Sequence, residues 1–240
     1  KKSIIKSNVV TPAVGFNPDD GFKIGLQNTY TVKGFNRNPN TRVHQFKGGY
    51  YFATRGFDLT YKGTFAGVFN QMNLTLKARF SGPMFAENFF GLGNETVNND
   101  DDLEFDFNRI RLSELSGGIG VSYKGEYGSH LKGGIEVQSY QVEADEGRFL
   151  ESEFANPSSN PDFFERKWFV EINGGYKYES YDNNLNPTRG MIFDLVAGIN
   201  ADKDDIGNTF GYIKPKLGFY NALNRDRKLV LKRWHKLLST

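Results

Sequence analysis

The chain has 240 residues, with 30 Lys and Arg against 28 Asp and Glu, so no basic excess points to nucleic acid. It has no cysteine, which excludes disulfides, zinc–thiolate sites and thiol catalysis. Hydrophobic residues make up 38% and occur only in short runs, which excludes a transmembrane helix. The 22 Phe, 12 Tyr and 27 Gly favour sheet, where aromatics fill pleated surfaces and glycine permits bulges.

In chain order, residues 3–14 predict a first strand of mixed pattern, thinly apolar over Ser3, Lys6, Ser7 and Asn8. The turn residues Asn17, Pro18 and Gly21 end it. Phe22, Ile24, Leu26, Tyr30 and Val32 then alternate with polar neighbours, and a strand over 42–54 follows. The pair at 56–68 and 71–82 is the cleanest. Its apolar positions are Phe57, Leu59, Tyr61 and Phe65, then Met72, Leu74, Leu76, Ala78 and Phe80. A period of two gives each strand one oily and one wet face.

A polar insertion over 84–103 separates this pair from a strand over 104–125, whose alternation slips between Phe107 and Ile110, as at a bulge. Strands are expected at 130–143, 166–181, 190–201, 208–222 and 228–234, with a second polar insertion at 145–165. The count is about eleven strands in an antiparallel up-and-down meander. The connections near 69–71 and 126–129 are tight, whereas both insertions are long and leave the same end. That asymmetry, with strands of about 10–14 residues and aromatics near strand ends (Phe22, Phe57, Phe80, Trp168), predicts an all-β transmembrane barrel. A soluble sandwich is the competing fold.

Three segments carry a family resemblance: GFNPDDGFKIGLQNTYTVKGF (15–35), NFFGLGNET (88–96) and YKYESYDNNLNPTRGMIFDL (176–195). Together they resemble the BamA-like superfamily, or bacterial surface antigen proteins, in its Bacteroidetes-type form. The resemblance implies a sixteen-stranded barrel in the bacterial outer membrane, with Asn186, Pro187, Thr188, Arg189 and Gly190 forming a periplasmic turn between the eighth and ninth strands. It implies insertion or translocation of other proteins, using a weak seam at the first strand, here Ile4, Ile5, Val9 and Val10. Lipid, lipopolysaccharide, client proteins and accessory subunits are the implied partners. The sequence stops at KRWHKLLST, before the inward loop and later strands of that family, so residues 1–240 are expected to be the N-terminal part of one barrel domain. A passive porin, or a barrel anchoring a phosphoesterase domain outside this sequence, are the alternatives.

No catalytic, cofactor or metal site is expected. His44, His130 and His235 are scattered. The acidic runs 100–102 and 202–205 lack a calcium ladder and read as solvated loops. Gly91-Leu92-Gly93 and Gly117-Gly118-Ile119-Gly120 are followed by no helix signal, so they read as loop and bulge glycines rather than phosphate cradles. Pro187 and Gly190 suit a turn; Arg189 is left as either turn residue or anchor for a partner.

Overall fold

A computed structural model describes residues 4–17, 20–34, 41–69, 71–91, 107–154, 161–183, 185–226 and 228–236. Eleven strands form one antiparallel sheet in strict chain order, each paired with its sequence neighbours. They are β1 (Ile5–Asn17), β2 (Gly21–Lys33), β3 (Arg42–Tyr51), β4 (Phe57–Phe69), β5 (Met72–Asn88), β6 (Arg109–Lys124), β7 (Ser129–Val142), β8 (Lys167–Tyr181), β9 (Arg189–Asp202), β10 (Phe210–Ala222) and β11 (Val230–Lys236). β1 and β11 are the two edges, and they do not pair with each other. Proline falls where a ladder tolerates it: Pro12 sits in edge strand β1, and Pro215 in β10 just beyond the described reach of β11.

The register puts like with like. Ile119, Ile135, Ile172 and Ile199 stand directly abreast across β6 to β9. All four are 50–58% exposed. Phe57, Phe80, Tyr50 and Phe22 lie on the same face toward the long-loop end, with Phe57–Phe80 centroids 5.2 Å apart. Toward the opposite end come Tyr123, Tyr176 and Phe193. An aliphatic belt is thus flanked by aromatic rows.

Exposure runs opposite to that of a water-soluble sheet. Along β8, Val170, Ile172 and Tyr176 are exposed, while Glu171, Asn173 and Lys177 between them are half-buried. Among the described residues only Val32, Leu150 and Ile192 are buried hydrophobics. Among the described residues no apolar core lies between layers, because the eleven strands form one sheet with no second sheet against it. The oily face is the outer face of the sheet, and the polar face is the sheltered inner side.

The meander and strand number match expectation; several details do not. The first strand, Ile5–Asn17, runs three residues past the expected end at 14, and residue 3 of the expected span lies outside the described residues. β5 continues to Asn88, into the supposed insertion, by absorbing register shifts at Ser81/Met84 and Phe85/Glu87. The slip anticipated near Phe107–Ile110 therefore lies on the facing strand, and β6 itself starts only at Arg109. Gly117, Gly118 and Gly120 are not bulge residues either, since β6 pairs in unbroken register with β5 and β7 through them.

Candidate functional site

Three regions could act on another molecule: the free edge of β1, the turn after β8, and the polar face. Among the described residues β1 pairs with β2 alone, through all thirteen residues from Ile5↔Lys33 to Asn17↔Gly21. Its outer main-chain groups form a free ladder, which can template an incoming strand. Of the seam residues, Ile4 precedes the strand, and Ile4, Ile5, Val9 and Val10 are 54–62% exposed. Val10 lies on the oily face, opposite Asn28 and in line with Phe46. Ile5 and Val9 lie on the polar face, opposite Lys33 and Thr29. The strand therefore shows apolar groups on both sides.

The turn between β8 and β9 is ordered by its carboxylate. Asp182 accepts from the Thr188 backbone N–H at 2.8 Å, the Arg189 N–H at 3.0 Å and the Thr188 hydroxyl. Asn183 Oδ1 accepts from Leu185 and Asn186 N–H at 2.9 and 3.2 Å. Gly190 then enters β9 with φ of 149°. Of the five predicted turn residues, Asn186, Pro187 and Thr188 lie in the turn and Arg189 and Gly190 open β9, with Leu185 97% exposed at the tip. These hydrogen bonds, the Thr188 hydroxyl first, hold the Asp182 carboxyl well below the usual carboxylate range. Because the folded form holds the proton less readily, the stabilisation is complete above the ordinary carboxylate pKa and fades as pH falls from about 4 toward the depressed value. Asp182→Ala is expected to speed amide hydrogen exchange at Thr188 and Arg189 at neutral pH, leaving exchange at the β8–β9 ladder centre unchanged.

The polar face is a lattice of cross-strand contacts. Lys23 pairs with Asp58 at 2.9 Å and Arg79 with Glu114 at 3.0 Å. Glu171 accepts from Gln138 and Asn173, both at 2.9 Å, and from the Tyr212 hydroxyl two strands away. On the oily face, His44 Nδ1 lies 3.0 Å from the Tyr61 hydroxyl, so its polar edge is satisfied.

Sequence reasoning missed the cap at the long-loop end. Phe149 packs against Phe89 and Phe107 at centroid distances of 6.1 and 5.9 Å. Arg111 donates to the Thr54 carbonyl at 3.1 Å and contacts Asp145 at 3.4 Å. Asn108, Arg109 and Leu150 are all buried there. Phe89 of the first insertion and Phe149 and Leu150 of the second are thus packed together, while Glu146, Gly147 and Ser152 stay exposed, and a π-helical turn, Leu150–Phe154, sits within the second. No local signal announces this, because its partners lie in separate connections; the phenylalanines amid polar residues are the only hint. The acidic run 100–102 and Leu92-Gly93 lie outside the described residues, and Gly91 has φ of 100° in the loop. Asp202 accepts from Asp204 N–H at 2.9 Å and Asp205 caps Ile206–Asn208, so that run serves its own turn. Among the described residues no acidic or histidine cluster could hold a metal.

No family model and no curated protein matches the chain. Among solved structures it is similar to BamA from Haemophilus ducreyi lacking POTRA domains 1–3, with a TM-score of 0.61 at 10% identity. The match covers 95% of this chain and 40% of that one. The chain shares the up-and-down antiparallel strand fold of part of that BamA structure. The likeness at this identity is one of fold, and the chain spans less than half the length of that structure. The reversed faces match the pattern of transmembrane barrels, which turn an apolar band with aromatic girdles outward and polar residues inward.

Proposed function

We propose that this chain is part of an outer-membrane barrel of the BamA-like kind that inserts or translocates other proteins, and that the edge of β1 is where a client strand engages. The observation that supports this is the likeness of fold to BamA over 95% of the chain, and β1, with apolar residues on both faces, has the make-up of a strand that can pair with a guest. In a bilayer, unpaired main-chain groups are costly, so an edge strand either closes on the last strand or pairs with a guest. The role needs geometry and hydrogen bonds rather than bond chemistry, so no catalytic group is assigned. The aromatic rows on the oily face would sit at the two lipid interfaces, the loop-end row facing lipopolysaccharide. The ordered turn at Asp182–Arg189, with Leu185 presented to solvent, would face the periplasm, where accessory subunits bind.

The test is a disulfide in the full-length protein between Ile5→Cys and a cysteine on the strand that closes against β1. Oxidation is expected to halt client insertion, and reductant to restore it. Insertion at the unlocked rate under oxidation would overturn the assignment. A barrel acting as a porin would keep its ion conductance when locked while showing no insertion activity in either state.

A further inference from the structure

The polar face carries one feature that the edge strand does not use. Lys62 of β4 and Lys77 of β5 stand directly opposite each other in register. Side chains so placed have Cβ atoms about 4.5–5.5 Å apart, and like charges there repel. Elsewhere on this face several cations have answering carboxylates, as in Lys23–Asp58 and Arg79–Glu114. Lys62 and Lys77 make no ion pair with any described residue.

Beside this pair the wall is bare. Lys77 faces Gly118 in β6, and one row along Thr75 faces Gly120, which faces Gly134 in β7. Three glycines on one face of two neighbouring strands leave a hollow of about 200 Å³ over the backbone. Its rim is cationic on both sides. Lys132 of β7 stands opposite Ser122 beyond the glycine row, and is tethered only loosely, to Asp194 at 3.8 Å. Thr75 and Ser122 add hydroxyl donors at the rim. Glu136, leaning over Gly118, is the one carboxylate residue among those lining the hollow, against the lysines Lys62, Lys77 and Lys132, the last with its ammonium turned toward Asp194.

We propose that this hollow binds a small polyvalent oxyanion of the phosphate class on the inner wall of the barrel. Two ammonium groups without ion pairs side by side favour an anion with more than one charge, and lysines act toward phosphate as point charges that tolerate varied approach. The absence of Cβ atoms at Gly118, Gly120 and Gly134 makes room for its oxygens. Chloride could screen either lysine singly, but could not bridge the pair and the hydroxyls across the floor.

The inference concerns the wall and is independent of the edge of β1, so it stands or falls separately from protein insertion. The experiment is isothermal titration of the full-length protein, folded in detergent, with inorganic pyrophosphate at constant ionic strength. Saturable binding to the parent protein is expected, weaker with orthophosphate and absent with chloride. Lys62→Gln and Lys77→Gln should each lower affinity about tenfold or more, whereas Lys47→Gln, the same charge change on the same face away from the hollow, should leave it unchanged. Heat-modifiable gel mobility would establish folding of each variant, and removing one of two repelling charges should favour it. No saturable binding to the parent, or equal loss with Lys47→Gln, would overturn the site and show only diffuse attraction to a cationic wall.

Discussion

Arginine in place of Ile135 is expected to destabilise the folded barrel by about 2–4 kcal/mol, the cost of a cation at the bilayer midplane on a lipid-facing strand. Ile135 lies midway along β7 and at the centre of the belt formed with Ile119, Ile172 and Ile199. It is 50% exposed, so the new side chain would meet no steric obstacle. In water such a change would be nearly neutral, within about 0.5 kcal/mol, as surface substitutions usually are. The sign and size of the effect therefore report which solvent the oily face meets. Thr29→Arg, on the polar face of β2 between Val9 and Gln45, is the matched control and should cost little. Urea unfolding of the protein in lipid vesicles would measure both. Equal, small effects would favour a soluble sheet whose oily face is covered by something other than lipid. In the same strand, Glu136→Cys should react with a membrane-impermeant thiol reagent and Ile135→Cys should not; the absence of native cysteine keeps this readout clean.

The same reasoning explains what the sequence could reveal. A period of two is a local property, so strand number, order and the apolar face were legible from alternation alone; Leu59 and Phe80, assigned to one face, stand directly opposite each other. Register is less local. Nothing in residues 84–91 shows that β5 carries on through two shifts, because a bulge is defined only against its partner strand. Val9 and Val10 are adjacent apolar residues, so alternation could not choose a face for β1; pairing of Val10 with Asn28 decides it. Long-range polar contacts are least legible. Glu171 and Tyr212 are 41 residues apart, and only the intervening geometry of β9 brings them together. The hollow beside Lys62 and Lys77 has the same origin. The glycines were visible as a run, but their meaning depends on which lysines the neighbouring strands place beside them.

Gly190→Ala is expected to be the most damaging single-methyl change in the turn after β8. Gly190 has φ of 149°, a conformation that L side chains rarely adopt. A Cβ there would also lie 2.1 Å from the Ser180 carbonyl oxygen and 3.0 Å from Tyr181 Cα, both backbone atoms of the paired strand. Conformational strain alone costs about 1–3 kcal/mol. The clash adds to it, since relief requires parting β8 from β9 at Tyr181↔Gly190, where the Asp182 turn begins. Two other glycines separate these contributions. Gly147 has φ of 80° but open space around its Cβ position, so Gly147→Ala should show strain without clash. Gly15, in β1, has open space and needs no left-handed backbone, so Gly15→Ala should be close to neutral. Unfolding midpoints in urea are expected to fall in the order Gly15→Ala, Gly147→Ala, Gly190→Ala, with the last also losing protection of the Thr188 and Arg189 amides. If Gly190→Ala matched Gly147→Ala, the hairpin would be able to part at that rung without cost, and the Asp182 turn would not be the rigid element that its hydrogen bonds imply.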